Sequence, residues 1–459
     1  MREILRKHSR FFLAATLAAI VLRLLFAFRF PAITSDSLVY GDIAKNWLQH
    51  GIYGLGGGAE ITPTTIRLPG YPAFLAAVFA IFGVDHYRAA LLLQIVVDLG
   101  TCFLVADLAR RIVSDRAARI AFLLAAICPF LANYAAAALS ETWEVFFTVL
   151  ALDLAVAGIA GRESGRLRCW LTCGLAIGAA ILLRPDGGLL LIAVETYLVI
   201  VAVRAASHRR PIAPWIKAGL LVGVVSLSCL VSWTLRNLLT LHQFEPLAPR
   251  YATEERALVP MGFIRWVKTW MADYASVEEV YWAVPGNAID ADVLPSRAFD
   301  SPQQQDQTEA LLDDYNHVLR ITPVLDARFA ELAAERIRRA PLRYYLWLPI
   351  VRIADMWLRP RTEILPCNVR WWEFDEDTQW LVLNIVLGIV NLVYVGAALL
   401  GWLGGRFLSG IGVLLVFVVV RSVFLGTMEN PEPRYTLECY PIVILLAAAW
   451  FCRRLNSES

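Results

Sequence analysis

Long apolar runs separated by short arginine-bearing loops constrain this chain more than any other feature of its sequence. The first run, residues 11–30, reads FFLAATLAAIVLRLLFAFRF. A helix needs about 20 mostly apolar residues to cross a bilayer, and comparable runs recur to the end of the chain. The 459 residues are 58% hydrophobic and only 18% charged, whereas about a quarter of a soluble domain is charged. The sequence therefore predicts an all-α polytopic membrane protein embedded in a lipid bilayer.

Arginine in the loops indicates the topology, because short cytoplasmic loops collect Lys and Arg. The basic N-terminus, MREILRKHSR, is therefore placed in the cytoplasm, and the run after it is interpreted as an uncleaved span because no small-residue cleavage site follows. The net charge of +2 gives no field that favours nucleic acid as a partner. About ten spans are predicted, at residues 11–30, 89–109, 117–136, 142–160, 169–183, 187–203, 215–235, 379–403, 407–425 and 437–452.

Two apolar stretches are predicted to lie in the outer interface as in-plane helices. Residues 71–83 are short, and a crossing there would move the basic loop with Arg110 and Arg111 to the outside. Residues 341–358 carry several charges, and their Tyr and Trp side chains suit a membrane interface. Apolar residues at helical spacing also predict a helix over residues 323–339.

The spans divide the chain into three predicted regions. Residues 1–236 form an N-terminal transmembrane module, whose first outer loop covers residues 31–87. Residues 237–378 form an external region with in-plane helices, and residues 379–459 form the C-terminal spans.

Charged side chains from separate parts of the chain would meet at the outer surface under this topology. Carboxylates beside arginines suit a reaction in which a hydroxyl is deprotonated and an anionic group is held. A carboxylate can act as the general base, and the guanidinium fork matches phosphate oxygens. The candidates are Asp36 and Glu141 for catalysis, Arg67, Arg184, Arg236 and Arg434 for the phosphate, and Tyr40, Glu432 and Tyr435 for other substrate contacts.

Each candidate also has a simpler structural interpretation. Asp36 suits the N-cap of a helix starting near Leu38, and Glu141 suits the first turn of the fourth span. Arg184 and Arg236 suit the ends of spans as interface anchors. The candidates favour a joint site only because all of them are predicted to lie on the same side of the membrane.

Three further acids, Asp98, Asp153 and Glu195, fall inside predicted spans, where acidic side chains are costly and often functional. They support an alternative function, that of a proton-coupled transporter. The sequence shows no internal repeat and no paired broken helices of the kind that transporters use. Hydrogen bonding between helices is therefore the simpler interpretation of these three acids.

Short motifs in a fixed order resemble those of bacterial GT-C glycosyltransferases. The group most like this chain is the dolichyl-phosphate-mannose protein mannosyltransferase superfamily, which includes the lipid A aminoarabinose transferases. The motifs are Asp36-x3-Tyr40-x3-Ala44, Arg67-Leu-Pro-Gly-Tyr-Pro, Ile81-Phe82-Gly83, Leu139-Ser-Glu141, Leu183-Arg-Pro185, Trp233-x2-Arg236-Asn237 and Pro433-Arg-Tyr435.

The resemblance implies an enzyme that moves a sugar from a polyprenyl-phosphate carrier to an extracytoplasmic lipid, glycan or protein acceptor. It implies a bacterial cytoplasmic membrane with the active site facing outward. The family's acidic positions correspond to Asp36 and Glu141, and its phosphate-binding basic position to Arg67 or Arg434. The family often has Asp-Glu in the first loop, whereas this chain has Asp36-Ser37. This departure argues against roles that need the paired acid, metal binding among them. No cofactor is expected and no metal ligand is assigned, while the need for a metal stays open.

A mechanism follows from these assignments as a hypothesis. Asp36 accepts the proton of the acceptor hydroxyl while its oxygen attacks the anomeric carbon. Polyprenyl phosphate leaves with its charge held by Arg67, and this single displacement inverts the anomeric centre.

Overall fold

The computed structural model describes the chain except residues 57–59, 162, 250, 252–257, 374–377, 405, 406, 408, 409, 458 and 459. The chain forms two compact units. Unit 1 comprises Met1–Ala252, Leu392–Val420 and Leu437–Ser459, and unit 2 comprises Thr253–Asn391 and Arg421–Thr436.

The described residues of the first half of the chain are mostly helical, with one short antiparallel hairpin. Its hairpin pairs β1 (Gly54–Leu55) with β2 (Thr62–Pro63). Its helices are α1 (Arg2–Lys7), α2 (Ser9–Arg29), α3 (Ser35–His50), α4 (Gly70–Phe82), α5 (Tyr87–Ile112), α6 (Asp115–Ala126), α7 (Pro129–Ala135), α8 (Glu141–Ala160), α9 (Glu163–Leu183), α10 (Gly188–Ser207), α11 (Ala213–Ser228) and α12 (Val231–Leu241).

The second half continues with helices of both units. They are α13 (Met261–Val267), α14 (Tyr274–Ser276), α15 (Pro302–Val318), α16 (Pro323–Arg339), α17 (Leu348–Leu358), α18 (Thr378–Gly404), α19 (Ile411–Gly426) and α20 (Tyr440–Ser457). The helix predicted over residues 323–339 is α16.

Eight helices in the described part of the chain are long and apolar enough to cross a membrane, and a bent pair makes a ninth. The bent pair is α6 and α7, which meet at 53°. The span predicted over residues 117–136 corresponds to this bent pair, and it is broken because Pro129 lacks an amide proton and cannot continue α6. The span predicted over residues 407–425 is α19, which is only 16 residues long. These helices make the chain an integral multi-pass membrane protein.

Arg23 stabilises the break between α6 and α7. Its fully buried guanidinium donates to the carbonyl oxygens of Ala125 at 3.1 Å and Ala126 at 2.6 Å, and to the carboxylate of Asp98 at 2.5 Å. The last carbonyls of a helix have no partner within it, so this arginine supplies the donors that the break removes. Asp98 neutralises the buried charge, which favours the structural interpretation of this acid.

The two ends of α5 contact different parts of the N-terminal region. The Tyr87 hydroxyl, at the start of α5, donates to the Ser37 carbonyl in α3 at 3.4 Å. At the other end of α5, Asp107 pairs with the amino group of Met1 at 3.7 Å. The basic loop after α5 thus lies beside the N-terminus, as the distribution of arginines required.

The N-terminus of α3 corrects the interpretation of Asp36 as a helix cap. The helix begins at Ser35, and Thr34 forms a capping box with Ser37. Since Thr34 supplies the cap, the Asp36 carboxylate in the first turn is left to contact a residue outside the helix.

Unit 2 has an apolar core of its own, formed largely by aromatic residues. Phe263, Trp266 and Trp270 from the α13 region pack with Tyr315 and Phe329 from α15 and α16. Since core packing of this kind is the main source of stability in a folded domain, the polar interval of the sequence is a folded body.

The stretch predicted as a second in-plane helix belongs to unit 2. A π-helical turn, Arg343–Trp347, leads into α17. Leu342 is 75% exposed, Tyr345 69% and Trp347 61%. Exposed apolar and aromatic side chains of this kind suit a lipid interface, and the in-plane position stays a prediction.

Candidate functional site

Asp36 and Arg67 form an ion pair that joins the two ends of the first polar loop. Arg67 Nη2 donates to Asp36 Oδ1 at 2.7 Å, with the side chains 21% and 30% exposed. A second donor, Nη1, is 3.0 Å from the Ile66 carbonyl, and the Tyr53 hydroxyl donates to the Arg67 carbonyl at 2.9 Å. The loop backbone is thus held in place while the pair stays accessible.

Tyr40 lies one helical turn after Asp36, on the same face of α3. The Arg67 guanidinium stands 5.6 Å from the centre of its ring, and the ring meets Tyr71 edge-on at 4.9 Å. Burial raises the pKa of Tyr40 to about 12, with smaller opposing effects from Arg67 and Arg184. The phenol therefore stays protonated near neutral pH.

Glu141 and Arg184 form a second pair close to Tyr40, since both charges act on its phenol. Glu141 is the first residue of α8 and only 2% exposed. Arg184, which follows α9, has its Nη1 at 3.3 Å from Glu141 Oε1. The structure thus brings Asp36, Tyr40, Arg67, Glu141 and Arg184 together in unit 1.

Three further acids beside Arg184 were missed in the sequence. The carboxylates of Glu144, Asp186 and Glu438 have ligand atoms within 4.8 Å of one another. Arg184 lies 3.8 Å from Glu144 and 3.3 Å from Asp186, and Ser140 donates to Glu144. One signal was available, because Glu144 follows Glu141 by a single helical turn.

This acidic group has the ligand type for a divalent cation. However, the Arg184 guanidinium already supplies positive charge to two of its carboxylates, Glu144 and Asp186. Several carboxylates around one arginine also make the surroundings of Arg184 unfavourable for a phosphate.

Arg236 lies in the same unit but is engaged with the backbone of the first loop. It donates to the carbonyls of Thr64 at 2.9 Å and Tyr53 at 2.5 Å. Its guanidinium also lies 5.1 Å from the Tyr53 ring and 5.3 Å from the Trp233 ring. These contacts fasten the hairpin loop to α12.

Glu432, Arg434 and Tyr435 contact one another in unit 2. Arg434 Nε is 2.5 Å from Glu432 Oε2, and the Tyr435 hydroxyl donates to Glu432 Oε1 at 2.6 Å. Arg361 donates to the Pro433 carbonyl at 2.6 Å, which fixes this turn. Glu432 is the buried acceptor at its centre, 1% exposed.

A chain of hydrogen bonds connects Tyr71 to the segment before Glu141. The Tyr71 hydroxyl donates to Gln94 Oε1 at 2.7 Å, and Gln94 Nε2 donates to the Ala137 carbonyl at 2.7 Å. Because Tyr71 also packs on Tyr40, this buried chain ties the surroundings of Asp36 to those of Glu141.

The other two acids of the transporter alternative have different surroundings. Asp153 pairs with Arg111 at 2.8 Å, which suits an interhelical contact. Glu195 packs against α11, where a side chain on Gly219 would come within 2.6 Å of the carboxylate. These geometries favour helix packing as the role of the two acids.

Comparison with known proteins agrees with the resemblance that the motifs indicated. Residues 64–233 match the model of the dolichyl-phosphate-mannose-protein mannosyltransferase family. A search of the curated proteins finds no match.

Solved structures extend the comparison to the whole chain. The oligosaccharyltransferase AglB of Archaeoglobus fulgidus, in complex with an inhibitory peptide and a dolichol-phosphate, is similar at a TM-score of 0.53 and 13% identity. The match covers 99% of this chain and 51% of AglB, so this chain spans about half the length of that protein. ArnT from Cupriavidus metallidurans, bound to undecaprenyl phosphate, matches over 97% of this chain and 78% of its own, at 15% identity and a TM-score of 0.40.

The fold places the chain among polytopic helical proteins of the GT-C type. Residues 64–233 of this chain are similar to the corresponding part of the dolichyl-phosphate-mannose-protein mannosyltransferases.

Proposed function

We propose that this protein is a glycosyltransferase that moves a sugar from a polyprenyl-phosphate carrier to an extracytoplasmic acceptor. The main observation in support of this proposal is the Asp36–Arg67 ion pair, whose charged atoms are 2.7 Å apart. It sets a carboxylate base beside a guanidinium suited to phosphate, and these are the two groups that the reaction needs.

The pair also suggests how donor binding prepares the base. In the absence of donor, Arg67 neutralises Asp36. The phosphate of the donor competes for the same guanidinium, because phosphate oxygens match its fork as well as a carboxylate does. Asp36 is then released to accept the proton of an acceptor hydroxyl as that oxygen attacks the anomeric carbon.

The departing polyprenyl phosphate keeps its contact with Arg67, so charge that develops in the transition state is stabilised. A single displacement of this kind inverts the anomeric centre. Glu141, held by Arg184, is assigned to orienting the acceptor hydroxyl, with the protonated Tyr40 between the two ion pairs.

Three observations support the donor class and the compartment. The family whose model matches residues 64–233 has dolichyl-phosphate-mannose in its name. The AglB structure of similar fold contains a dolichol-phosphate. The basic loop beside the N-terminus suits the cytoplasm, which would put Asp36 on the outer side of a bacterial cytoplasmic membrane.

The decisive experiment is sugar transfer by the purified protein in nanodiscs, with a panel of polyprenyl-phosphate sugars and candidate lipid, glycan and peptide acceptors. Wild-type protein transfers sugar with inversion. Asp36→Asn keeps the size of the side chain and removes the base, so the rate falls about 10²- to 10⁴-fold.

Asp42→Asn is the matched control, because Asp42 lies on the same helix and pairs with Lys45 at 3.1 Å. It is expected to keep most of the activity. Full transfer by Asp36→Asn would show that the base is elsewhere. Proton-linked solute uptake without any sugar transfer would instead support the transporter.

A further inference from the structure

Unit 2 contains two adjoining cavities that share Cys367 as a wall. The larger, about 360 Å³, is lined by Asn368, Glu373, Trp380 and Asn384, among others. The smaller, about 110 Å³, lies beside it. Pockets for small ligands usually occupy about 300–1,000 Å³, so together the cavities have room for one or two sugar residues.

The smaller cavity has both hydrogen-bond donors and acceptors. Tyr274, Glu278, Arg359, Thr362 and Glu363 contribute to its lining. A sugar presents hydroxyls that donate to carboxylates and accept from guanidinium or phenol groups. This mixture therefore suits a polyhydroxylated ligand.

Contacts behind the lining hold its polar groups in fixed positions. Arg359, 6% exposed, donates to the Val369 carbonyl at 2.7 Å and lies 5.1 Å from the Tyr274 ring centre. Thr362 donates to Asn384 Oδ1 at 2.5 Å, and Asn384, 1% exposed, donates to the Asn368 carbonyl at 3.1 Å. Groups fixed in this way lose little entropy when a ligand binds.

The charge of the lining argues against a phosphate as occupant. Two carboxylates, Glu278 and Glu363, face one guanidinium in the smaller cavity, and that guanidinium is also 3.4 Å from Asp355. The larger cavity adds Glu373. A phosphate or carboxylate ligand would be repelled by these acids, whereas a sugar without such groups would not.

Trp380 supplies the apolar surface that sugar binding needs. It lies near the start of α18, within the larger cavity. The electron-rich face of an indole attracts weakly positive C–H groups, and one face of a pyranose ring presents several of them. The aromatic side chain of the larger cavity and the fixed polar groups of the adjoining one are therefore together complementary to a sugar.

We propose that these two cavities form a saccharide-binding site for a sugar residue that carries no phosphate or carboxylate group. Trp380 stacks on the ring, while Glu278, Glu363 and Arg359 bond to its hydroxyls. The sugar belongs either to the acceptor or to the portion of the donor that is transferred. This assignment of substrate rests on the proposed function, whereas saccharide binding itself does not.

Cys367 allows binding to be measured without turnover, since it lines both cavities and is not disulfide-bonded. The rate of its alkylation in the full-length protein in nanodiscs is followed by peptide-resolved mass spectrometry. The probes are methyl glucoside, glucosamine and glucose 6-phosphate, and Cys229 in unit 1 is the internal reference.

Methyl glucoside or glucosamine is expected to slow alkylation of Cys367 about 10-fold at roughly ten times its dissociation constant, with Cys229 unaffected. Glucose 6-phosphate gives little protection. Trp380→Ala and Glu278→Gln each reduce the protection, whereas Trp372→Ala, an exposed tryptophan outside the lining, does not.

Protection by none of the sugars, equal protection by glucose 6-phosphate, or unchanged protection in both Trp380→Ala and Glu278→Gln would overturn the proposal. In the transfer assay, Glu278→Gln raises the KM of the acceptor if the sugar is the acceptor's, and that of the donor if it is the donor's. If sugars protect Cys367 of the wild-type protein from alkylation but the protein transfers no sugar, the proposed function is refuted and the saccharide site is still supported.

Discussion

Two of the short arginine–carboxylate pairs in unit 1 have sharply different surroundings. Arg23 and Asp98 are 2.5 Å apart with side chains 0% and 3% exposed. Arg67 and Asp36 are 2.7 Å apart but 21% and 30% exposed. Arg23 also donates to carbonyls at the break between α6 and α7, whereas Arg67 otherwise contacts the backbone next to it.

The difference separates a structural pair from one that can exchange partners. Removing one member of a buried pair leaves an uncompensated charge and costs about 3–5 kcal/mol. A partly exposed pair, whose charges are screened by solvent, contributes closer to about 0–1 kcal/mol. The Asp36–Arg67 pair therefore contributes little to stability, and its charges remain available to a substrate.

The largest expected effect is on stability at the buried pair. Arg23→Met leaves Asp98 and the carbonyls of α6 without their donor, so the free energy of unfolding falls by about 3–5 kcal/mol. Unfolding in nanodiscs or mixed micelles measures it. Lys45→Met, which breaks an exposed pair, is the control, and equal losses in the two variants would remove the distinction.

Arg67→Ala tests the exchangeable pair through donor affinity. A charge-assisted hydrogen bond contributes about 1.5–3 kcal/mol, so the dissociation constant for polyprenyl phosphate rises about 10- to 100-fold. Arg328→Ala is the control. It removes an arginine that pairs with Asp314 at the surface, and donor affinity is expected to stay unchanged. Unaltered donor binding by Arg67→Ala would contradict the phosphate assignment.

Tyr71→Phe tests whether the Asp36–Arg67 and Glu141–Arg184 pairs act as one site. It removes the hydroxyl that bonds to Gln94, at a cost of about 1 kcal/mol. We expect kcat to fall several-fold with the donor dissociation constant unchanged, since Arg67 keeps its contacts. Tyr87→Phe, which loses only a 3.4 Å contact, is the control. If Tyr71→Phe impairs folding but has no selective effect on kcat, the hydrogen bonds from Tyr71 to Gln94 and Ala137 have a purely structural role.

The smallest expected effect is the stability of Asp36→Asn. Because a partly exposed pair that solvent screens contributes only about 0–1 kcal/mol, thermal unfolding of this variant should nearly coincide with that of wild type while transfer is lost. Destabilisation as large as that of Arg23→Met would mean that Asp36 is structural.

Much of the fold could be predicted from local properties. In a bilayer the backbone must satisfy its own hydrogen bonds, so a sufficiently long apolar run forms a helix wherever it lies. Helix α16 followed from helical spacing in a polar interval, whereas the in-plane position of α4 stays a prediction from the arginines in the loop after α5. The break at Pro129 was within reach, since proline seldom continues a helix.

The sequence by itself determined which segments are helices and which acidic and basic residues were candidates, because helix formation and membrane insertion depend on neighbouring residues. Only the tertiary structure decided the partners. Asp36 pairs with a residue 31 positions away and Glu141 with one 43 positions away, while Thr34 takes the capping role. Such pairings depend on how each helix is rotated and packed against its neighbours, and an apolar run carries little information about either.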